Sequence, residues 1–408
     1  MLKIFPIYKF FFSVEGCILS SLIILCLIKF NFNQGNYGVN LNHKYINVQS
    51  LRVYSLAISP DGNTIVNGNL NKDIDVRDLQ TGKITRQLVG HGDSVNSVAI
   101  SPNNQIIASG SGDNNIKIWD LKTGKLIQTF SGHKDDVKSV AFSPDGIFLA
   151  SSSWDKTVKI WNLKTGVLFL NLPHSDEVRT VAFSPDGKIL VSGGQSGKIM
   201  IWYLPTGKLR THLVAHKKPI WSIAFSPNGK YIASASSDHT IKVWNIKNGE
   251  LSAVLTGHNK AVYSVAFSSD SQTLASGGYD QTVKLWNVET GNLINTFTGH
   301  TKPVWSLAFN PHNHTLISGG ADAKIKIWNL PKSDLFRQGI NYAMKAANLT
   351  QIAKSSQEWQ MVIDNWQKSI DLMSRIPNSS IDYAIAQKKI VEYQRNLNYS
   401  QLRLSKFA

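Results

Sequence analysis

The sequence predicts an all-β domain made of seven copies of one four-stranded unit, followed by a helical segment. Two short segments, of the types SVAFSPDG and IKIWN, recur in the same order along most of the chain. The fourth position of the second segment is occupied in turn by Arg77, Trp119, Trp161, Trp202, Trp244, Trp286 and Trp328. These positions lie 42, 42, 41, 42, 42 and 42 residues apart. A fixed period of this length is typical of repeat folds, in which each unit packs against the next.

A strongly apolar segment lies near the N-terminus of the chain. Residues 10–28 read FFFSVEGCILSSLIILCLI, with Glu15 as the only charge. Nineteen residues can just span a bilayer, whereas the uncharged part from residue 16 to 28 has the length of a signal-peptide core. The following KFNFNQGNYG contains no small-x-small cleavage site. We therefore expect residues 1–30 to hold an uncleaved single-pass anchor; a cleaved signal and a start site placed too far upstream are the alternatives.

The charges around this apolar segment bear on its orientation. Lys3 and Lys9 precede it, and Lys29 and Lys44 follow it. The positive-inside bias slightly favours a cytoplasmic N-terminus. We therefore expect a single-pass membrane protein whose folded body is extracytoplasmic.

Each repeated unit divides into four short strands. In the second copy, SVAI at 97–100 alternates between polar and apolar residues, as a half-buried strand does. A turn follows, then a strand at 107–111 (IASGS) and a strand at 116–119 (IKIW). The turn KTGK leads to a fourth strand, LIQTF, at 126–130.

Four strands in a period of about 42 residues resemble the WD40 repeat, and seven such units resemble a seven-bladed β-propeller. The resemblance covers about residues 41–331. The predicted fold is therefore an all-β, seven-bladed WD40 propeller with an N-terminal transmembrane helix and a C-terminal helical hairpin or three-helix extension. The resemblance implies a non-catalytic scaffold for protein–protein interaction, although the fold hosts many functions.

The last blade lacks its outer strand in the repeat order. After Trp328 the chain runs NLPKSDLF and becomes helical. Counting back in register from Ser55, residues 42–46 fall where the fourth strand falls in other units. We expect this N-terminal strand to complete the seventh blade, because an unpaired sheet edge would otherwise remain.

Five units carry His, Ser, Asp and Trp at fixed offsets. The resemblance implies a hydrogen-bond tetrad inside each blade, in which Asp accepts from His, His contacts Ser, and Ser contacts the indole. The sets are His91, Ser109, Asp113, Trp119; His133, Ser151, Asp155, Trp161; His216, Ser234, Asp238, Trp244; His258, Ser276, Asp280, Trp286; and His300, Ser318, Asp322, Trp328. A catalytic site needs one exposed nucleophile beside an oxyanion pocket, whereas five identical copies indicate architecture. We predict no catalytic residue, no metal site and no cofactor.

Two blades depart from this pattern. Blade four keeps His174, Ser192 and Trp202 but has Ser196 in the aspartate position. Blade one has Gln49, Asn67, Asn71 and Arg77 in the four positions. Since neither blade has a full tetrad, we expect these two blades to be the least tightly held.

In the WD40 architecture, the loops that enter the first strand and those between the second and third strands share one rim and commonly contact partners. The resemblance assigns partner binding to aromatic and arginine residues at these positions, the residue types of binding hot spots. They are Arg52, Tyr54, Trp154, Arg179, Trp221, Tyr263, Tyr279 and Trp305. We expect Trp221, Tyr263, Tyr279 and Trp305 to cluster on neighbouring blades, with the others elsewhere on the rim. Packing of some rings between blades is the alternative.

A helical tail is predicted over residues 333–404. Ser355 and Glu358 form a capping-box pattern that begins a second helix, and Pro377 ends it. Ser379 with Asp382 can cap a third helix.

The second predicted helix of the tail also carries a weak family signal. Val362, Trp366 and Ser369 lie at offsets that resemble the second helix of a tetratricopeptide-like hairpin. A helical cap packed on the propeller, or on its own partner helix, is the alternative.

The net charge of +16 raises the question of nucleic-acid binding. The excess is spread along the whole chain, and no aromatic-basic RNA-binding signature accompanies it, so nucleic acid is not the favoured partner. The leading hypothesis is a membrane-tethered, non-catalytic scaffold that binds a protein on the propeller rim, with no small-molecule substrate. The alternatives are a regulatory domain or partner of an enzyme such as a kinase or protease, and nucleic-acid binding through the basic surface.

Overall fold

The repeated part of the chain folds into seven four-stranded antiparallel sheets. The computed structural model describes residues 44–48, 52–312, 315–330, 334–376 and 382–407. Within these ranges the sheets are the blades of a seven-bladed β-propeller, and three helices follow them. The predicted β-propeller and helical extension are therefore confirmed. The predicted anchor at residues 10–28 lies outside the described ranges, and within those ranges no helix has the length and apolarity to cross a membrane.

The strands of the first four blades follow in chain order. Blade one contains β2 (Val53–Ile58), β3 (Thr64–Asn69), β4 (Ile74–Asp78) and β5 (Ile84–Leu88). Blade two contains β6 (Val95–Ile100), β7 (Ile106–Ser111), β8 (Asn115–Asp120) and β9 (Leu126–Ser131). Blade three contains β10 (Val137–Phe142), β11 (Phe148–Ser153), β12 (Thr157–Asn162) and β13 (Leu168–Pro173). Blade four contains β14 (Val178–Phe183), β15 (Ile189–Gly194), β16 (Lys198–Tyr203) and β17 (Lys208–Val214).

The last three blades include the seam of the ring. Blade five contains β18 (Ile220–Phe225), β19 (Tyr231–Ser236), β20 (Ile241–Asn245) and β21 (Leu251–Leu255). Blade six contains β22 (Val262–Phe267), β23 (Thr273–Gly278), β24 (Val283–Asn287) and β25 (Leu293–Phe297). Blade seven contains β26 (Val304–Phe309), β27 (Thr315–Gly320), β28 (Lys324–Asn329) and, as its fourth strand, β1 (Lys44–Asn47).

The second strand of every blade is covered on both faces. After its first residue, each of these strands is buried throughout, whereas the outer strands keep most of their side chains exposed. A strand buried on both faces reads as a continuous run of small and apolar residues rather than as an alternating one. The run LASSS in β11 is of this kind, so the core of the domain lies between neighbouring blades.

The first residue of each inner strand packs into the preceding blade. Val137 is fully buried and lies against Gly110 of blade two. A Cβ atom added to Gly110 would lie 2.6 Å from a methyl carbon of Val137, closer than real atoms approach. A small residue at this position of the second strand is therefore required for the blades to come together.

Hydroxyl groups also connect neighbouring inner strands. The Ser97 hydroxyl of blade two accepts a 3.0 Å hydrogen bond from the Val140 N–H of blade three. Among the described residues, six of the seven blade interfaces carry such a bond, at 2.9–3.3 Å. The hydroxyl–amide pairs are Ser55–Val98, Ser97–Val140, Thr180–Ile223, Ser222–Val265, Ser264–Leu307 and Ser306–Leu56. The last of these crosses the seam, so the ring is closed by the same bond that holds its other interfaces.

At the seam, β1 pairs antiparallel with β28, with Ile46 opposite Ile325. Ile46 is 7% exposed, whereas its neighbour Tyr45 is 56% exposed. The first described segment of the chain therefore completes the last blade and covers its outer edge.

The three helices share one core. They are α1 (Asp334–Thr350), α2 (Ser356–Ser374) and α3 (Tyr383–Leu404), and a short 3-10 turn (Ser405–Phe407) follows. Ser355 and Glu358 form the predicted capping box of α2. Asp382 stands at the N-cap of α3 without a side-chain capping bond, and Ser379, with which it was predicted to cap this helix, lies outside the described residues.

Side chains from all three helices meet in a single apolar cluster. Trp359 and Trp366 of α2 are buried between Phe336 of α1 and Leu397 of α3 in that cluster. The Ser369 hydroxyl of α2 donates a 2.7 Å bond to the Gly339 carbonyl of α1. The face of α2 that resembles a tetratricopeptide helix is therefore used to hold the three helices together.

Replacing Ile46 with Ala should lower the free energy of unfolding by about 2–4 kcal/mol, because the buried side chain holds the closing strand on blade seven. Urea denaturation followed by tryptophan fluorescence measures this change. The matched control is Tyr45→Ala on the exposed face of the same strand, for which we expect a change within about 0.5 kcal/mol. Equal effects of the two substitutions would show that β1 does not close the ring by burying Ile46.

Candidate functional site

Every inner strand contains a β-bulge at its second residue. In β10 the register shifts between Val137 and Ser139, so that Lys138 is the extra residue. The same shift occurs in all seven inner strands. A bulge redirects the side chain of the inserted residue. The seven inserted residues are Tyr54, Asn96, Lys138, Arg179, Trp221, Tyr263 and Trp305.

These bulge residues differ widely, whereas the residues beside them hardly change. Val or Ile precedes each bulge residue, and Ser or Thr follows it. The flanking residues are fixed by blade packing and by the hydroxyl–amide bonds between blades. The bulge position is free of both requirements, so its side chain can serve binding.

Cations and rings alternate along the rim of blades three to five, where Trp154 of the loop after β11 lies between the bulge residues Lys138 and Arg179. The Lys138 ammonium lies 4.2 Å from the Trp154 ring centre. The Arg179 guanidinium lies 5.6 Å from the Trp154 ring and 4.3 Å from the Trp221 ring. Each distance is within the range of a cation–π interaction. Arg179 therefore connects two tryptophans that come from the blades on either side of its own.

The contacts continue into blade six through aromatic pairs. Trp221 meets Tyr263 edge to face, with ring centres 5.0 Å apart, and Tyr263 lies 6.1 Å from Tyr279. The Lys260 ammonium is 5.1 Å from the Tyr279 ring, and the Trp221 indole donates to the Ser237 hydroxyl. We call this series the aromatic belt; its members are Lys138, Trp154, Arg179, Trp221, Tyr263, Tyr279 and Lys260.

Two of the three cations of the belt, Arg179 and Lys138, are partly removed from water. The Arg179 side chain is 12% exposed; it donates to Glu177 and Gln195 at 3.1 and 3.0 Å, while its Nε atom is buried without a partner among the described residues. Burial lowers the pKa of Arg179. Burial also lowers the pKa of Lys138, against the opposing effect of Asp136. Both cations would therefore gain from an additional negative partner.

A second, smaller group joins blade seven to blade one. Tyr54 stacks on Trp305 with ring centres 4.7 Å apart and planes within 9° of parallel. The Arg52 guanidinium lies 5.7 Å from the same Trp305 ring. The expected grouping is thus wrong in two respects. Trp305 pairs across the seam with Tyr54, and Arg179 contacts both Trp154 and Trp221, which joins these residues to the rings of blades five and six.

The predicted set omits Lys138 and Lys260 of the belt. It was chosen by residue type, and lysine is depleted at the centre of interfaces. The position of Lys138 in the repeat could have identified it, because Lys138 is the bulge residue of its blade and tryptophan or tyrosine is the bulge residue in four other blades.

The tetrad side chains lie in the blade interiors. In blade two, Asp113 is 2.8 Å from His91, His91 is 2.8 Å from Ser109, and the Trp119 indole donates to Ser109 at 2.9 Å. Blades three, six and seven have the same three bonds. These serines and histidines are buried, so the arrangement satisfies buried polar groups and leaves none of the four tetrad serines exposed as a nucleophile.

The imidazole joins the two ends of each tetrad. In blade six, Ser276 accepts from the Trp286 indole at 2.8 Å and lies 2.8 Å from His258 Nε2. On the other side of the ring, His258 Nδ1 lies 2.9 Å from Asp280. Burial alone would raise the pKa of Asp280, but hydrogen bonds from His258 and Thr282 outweigh it and lower the pKa to about 2. The tetrad thus holds an ionised carboxylate beside the imidazole.

Comparison with known families agrees with this geometry. The family model described as "IFT122 first beta-propeller" matches residues 113–233 and 219–351, and the one described as "WD domain, G-beta repeat" matches residues 82–120. The chain belongs to the WD40 β-propeller family. WD40 propellers generally act as protein-interaction scaffolds without catalytic activity. No curated protein matches the chain significantly.

Blade five of this WD40 propeller departs from the predicted tetrad. His216 bonds to Asp238 and to Ser234, but the buried Trp244 indole nitrogen has no partner among the described residues. The predicted bond between Trp244 and Ser234 is therefore absent. Burial lowers the pKa of His216, against the opposing effect of Asp238.

The residue before the histidine explains this loss. In blades two, three and six it is a glycine, and a Cβ atom added there would lie only 3.0–3.1 Å from Cη2 of the blade's tryptophan. Blade five has Ala215 at this position, and Ala215 is buried in the same apolar cluster as Trp244. Blade four has Pro173, and its Trp202–Ser192 distance is 3.2 Å against 2.7–2.9 Å in the glycine blades. The Gly-His pair of the WD40 repeat therefore makes room for the tryptophan.

Blade one has a different internal network. Arg77, in the tryptophan position, pairs with Asp75 at 3.0 Å and donates to Asn67 at 3.2 Å. All three residues are buried. Blade one thus lacks the tetrad, as predicted. Its interior is held instead by a buried ion pair, which the comparison of tetrad positions between blades does not reveal.

Replacing Gly257 with Ala should displace the Trp286 indole from Ser276 and lower the free energy of unfolding by about 1–2 kcal/mol. Conversely, Ala215→Gly should give the Trp244 indole a hydrogen bond to Ser234. The readout for both is the indole N–H chemical shift by NMR, because glycine's greater backbone entropy opposes any gain in stability in the second variant. An unmoved Trp286 indole resonance in Gly257→Ala would contradict the steric explanation.

Proposed function

We propose that the chain is a non-catalytic scaffold that holds a partner protein on the propeller rim. The aromatic belt and the group of Arg52, Tyr54 and Trp305 form the docking surface, and residues 10–28 attach the protein to a membrane. The observation that carries the proposal is the series of cation and ring contacts from Lys138 to Lys260, which crosses four blades on side chains that the blade packing does not require.

The charge of the belt indicates the chemistry of the partner. Lys138 and Arg179 are partly desolvated, and a buried cation is stabilised by an anion that bonds to it. Residues 51–333 carry 29 lysines and arginines against 20 aspartates and glutamates. The partner is therefore a polypeptide segment that presents carboxylates among apolar side chains. The carboxylates pair with the cations while the apolar side chains cover the half-buried rings.

The ring geometry favours a polypeptide over a nucleic acid. A nucleobase binds by stacking on an open aromatic face. The Trp154 ring already contacts Lys138 and Arg179, and Trp305 is stacked on Tyr54. A base would have to displace these contacts, whereas carboxylates bind the cations where they lie.

Replacing both Trp221 and Trp305 with Ala should reduce partner affinity at least about tenfold, because each removes the central ring of one half of the docking surface. The partner is first captured from detergent extracts of the source cells and identified. The purified partner is then titrated by calorimetry against wild-type protein and against the double variant.

The matched control for this experiment is Tyr203→Ala, which removes a 40% exposed ring at the end of β16, outside both rim groups. The control should bind as wild type does. Equal affinity of the double variant and the wild type would end the proposal. Capture that is abolished by nuclease, with affinity falling steeply with salt, would assign the surface to nucleic acid instead.

The membrane attachment is tested separately. Full-length protein should sediment with membranes and resist carbonate extraction, and a variant without residues 1–30 should remain in the supernatant, because residues 10–28 supply the apolar length for a span. Full-length protein in the soluble fraction would contradict the anchor.

A further inference from the structure

Blade four contains a cavity of about 240 Å³ beside its incomplete tetrad. The residues that line it include His174, Ser175, Ser196, Lys198, Met200 and His212. The volume is below the roughly 300–1,000 Å³ typical of sites for drug-sized ligands. A cavity of this size suits a ligand of only a few carbon atoms, or the end of a longer chain.

The neighbouring blades show what occupies the corresponding position. In blade three the Asp155 carboxylate accepts from His133 Nδ1 at 2.7 Å, from the Lys134 N–H at 3.0 Å and from the Thr157 N–H at 2.9 Å. The carboxylate thus lies in a cradle of one imidazole and two backbone amides. The same aspartate–imidazole contact recurs in blades two, five, six and seven.

Blade four retains the cradle without the carboxylate. Ser196 replaces the aspartate, and its hydroxyl receives only a long 3.4 Å contact from the Lys198 N–H. His174 Nδ1 turns to the Leu172 carbonyl at 3.1 Å. The Ser175 N–H, equivalent to that of Lys134 in blade three, has no acceptor among the described residues. One donor without an acceptor, the Ser175 N–H, and two donors that have other acceptors therefore surround the space that holds a carboxylate in the sister blades.

Charged groups of both signs surround this space. Lys198 and His212 line it together with the acidic Asp176 and Glu177. Glu177 accepts from Arg179, and Asp176 accepts from the Ser175 hydroxyl, so each acid already has a donor. Met200 stands where the other tetrad blades have lysine, which adds apolar surface. A ligand with a single negative charge fits this environment better than one with two.

We propose that the blade-four cavity is a binding site for a carboxylate group from outside this chain, held in the position that aspartate occupies in the five tetrad blades. His174 Nδ1 and the amides of Ser175 and Lys198 donate to it, and Lys198 supplies the opposite charge. The shared chemistry is a monocarboxylate, either a small free acid or the end of a polypeptide. The site is independent of the rim function proposed above.

The first test uses formate on the wild-type protein, because it is the smallest carboxylate. Burial lowers the pKa of His174 in the unfilled site, and a bound carboxylate stabilises the imidazolium and raises this pKa. Titration of the His174 ring by NMR, in about 100 mM sodium formate and in equal sodium chloride, should show an upward shift only in formate. Identical titration curves would overturn the proposal.

The decisive variant is Ser196→Asp, which places the chain's own carboxylate in the cradle. In wild type, formate should raise the melting temperature by an amount on the order of 2 °C. In Ser196→Asp, formate should change neither the melting temperature nor the titration of His174. A formate effect that persists in Ser196→Asp would place the ligand elsewhere and overturn the proposal. The wild-type titration does not depend on the folding of this variant.

A reciprocal variant tests whether the cradle itself recognises a free carboxylate. Asp155→Ser removes the aspartate of blade three and should lower the melting temperature; formate should restore part of the loss and chloride should not. Failure of formate to act on this variant would contradict the premise that an empty aspartate position takes up a carboxylate.

Two further ligands separate the possible sources of the group. A short glycine peptide with a free C-terminus is compared with its C-terminal amide, and both are compared with acetate. A His174 shift with the free peptide and none with the amide assigns the site to a polypeptide end, whereas a shift with acetate alone assigns it to a small acid. An equal shift with the amide would overturn recognition of a carboxylate.

Discussion

Three consecutive residues at the start of each inner strand carry the constraint on which the ring depends. The first, Val or Ile, is buried against a small residue of the preceding blade, and the third, Ser or Thr, accepts a backbone hydrogen bond from the next blade at six of the seven interfaces. The bulge residue between them takes part in neither contact. Packing and binding are therefore separated within one tripeptide, and the rim can change its chemistry without disturbing the blades.

The interiors of the blades show three solutions to one problem, the burial of polar groups in a tightly packed sheet. Most blades use an imidazole held between aspartate and serine. Blade one uses the ion pair of Arg77 and Asp75, in which both charges are removed from water together. Blade four satisfies His174 with a backbone carbonyl and leaves a cavity where the carboxylate would be. In this last solution the Ser175 N–H has no acceptor among the described residues, so it is available to another molecule.

The sequence predicts the features that repeat. It does not predict contacts that depend on a single atom or on a residue far away in the chain. The spacing of the tryptophans predicts seven blades, and the register before Ser55 predicts the closing strand, because both follow from counting. The unsatisfied Trp244 accompanies Ala215, which stands where blades two, three and six have glycine, and the spacing of the repeat does not reveal this difference of one carbon atom. The stacking of Tyr54 on Trp305 joins the two ends of the propeller, 251 positions apart, and needs the closed ring to be known first.

Departures from the repeat are therefore the informative positions, and two of them meet in one short segment of blade four. Residues 174–179 line the cavity at one end and supply Arg179 to the aromatic belt at the other. Glu177 belongs to both, since it lines the cavity and accepts from Arg179 at 3.1 Å. The Glu177 side chain is 41% exposed, so water screens its charge from the cavity. The two departures therefore share one segment of the chain, while different side chains set the chemistry of each.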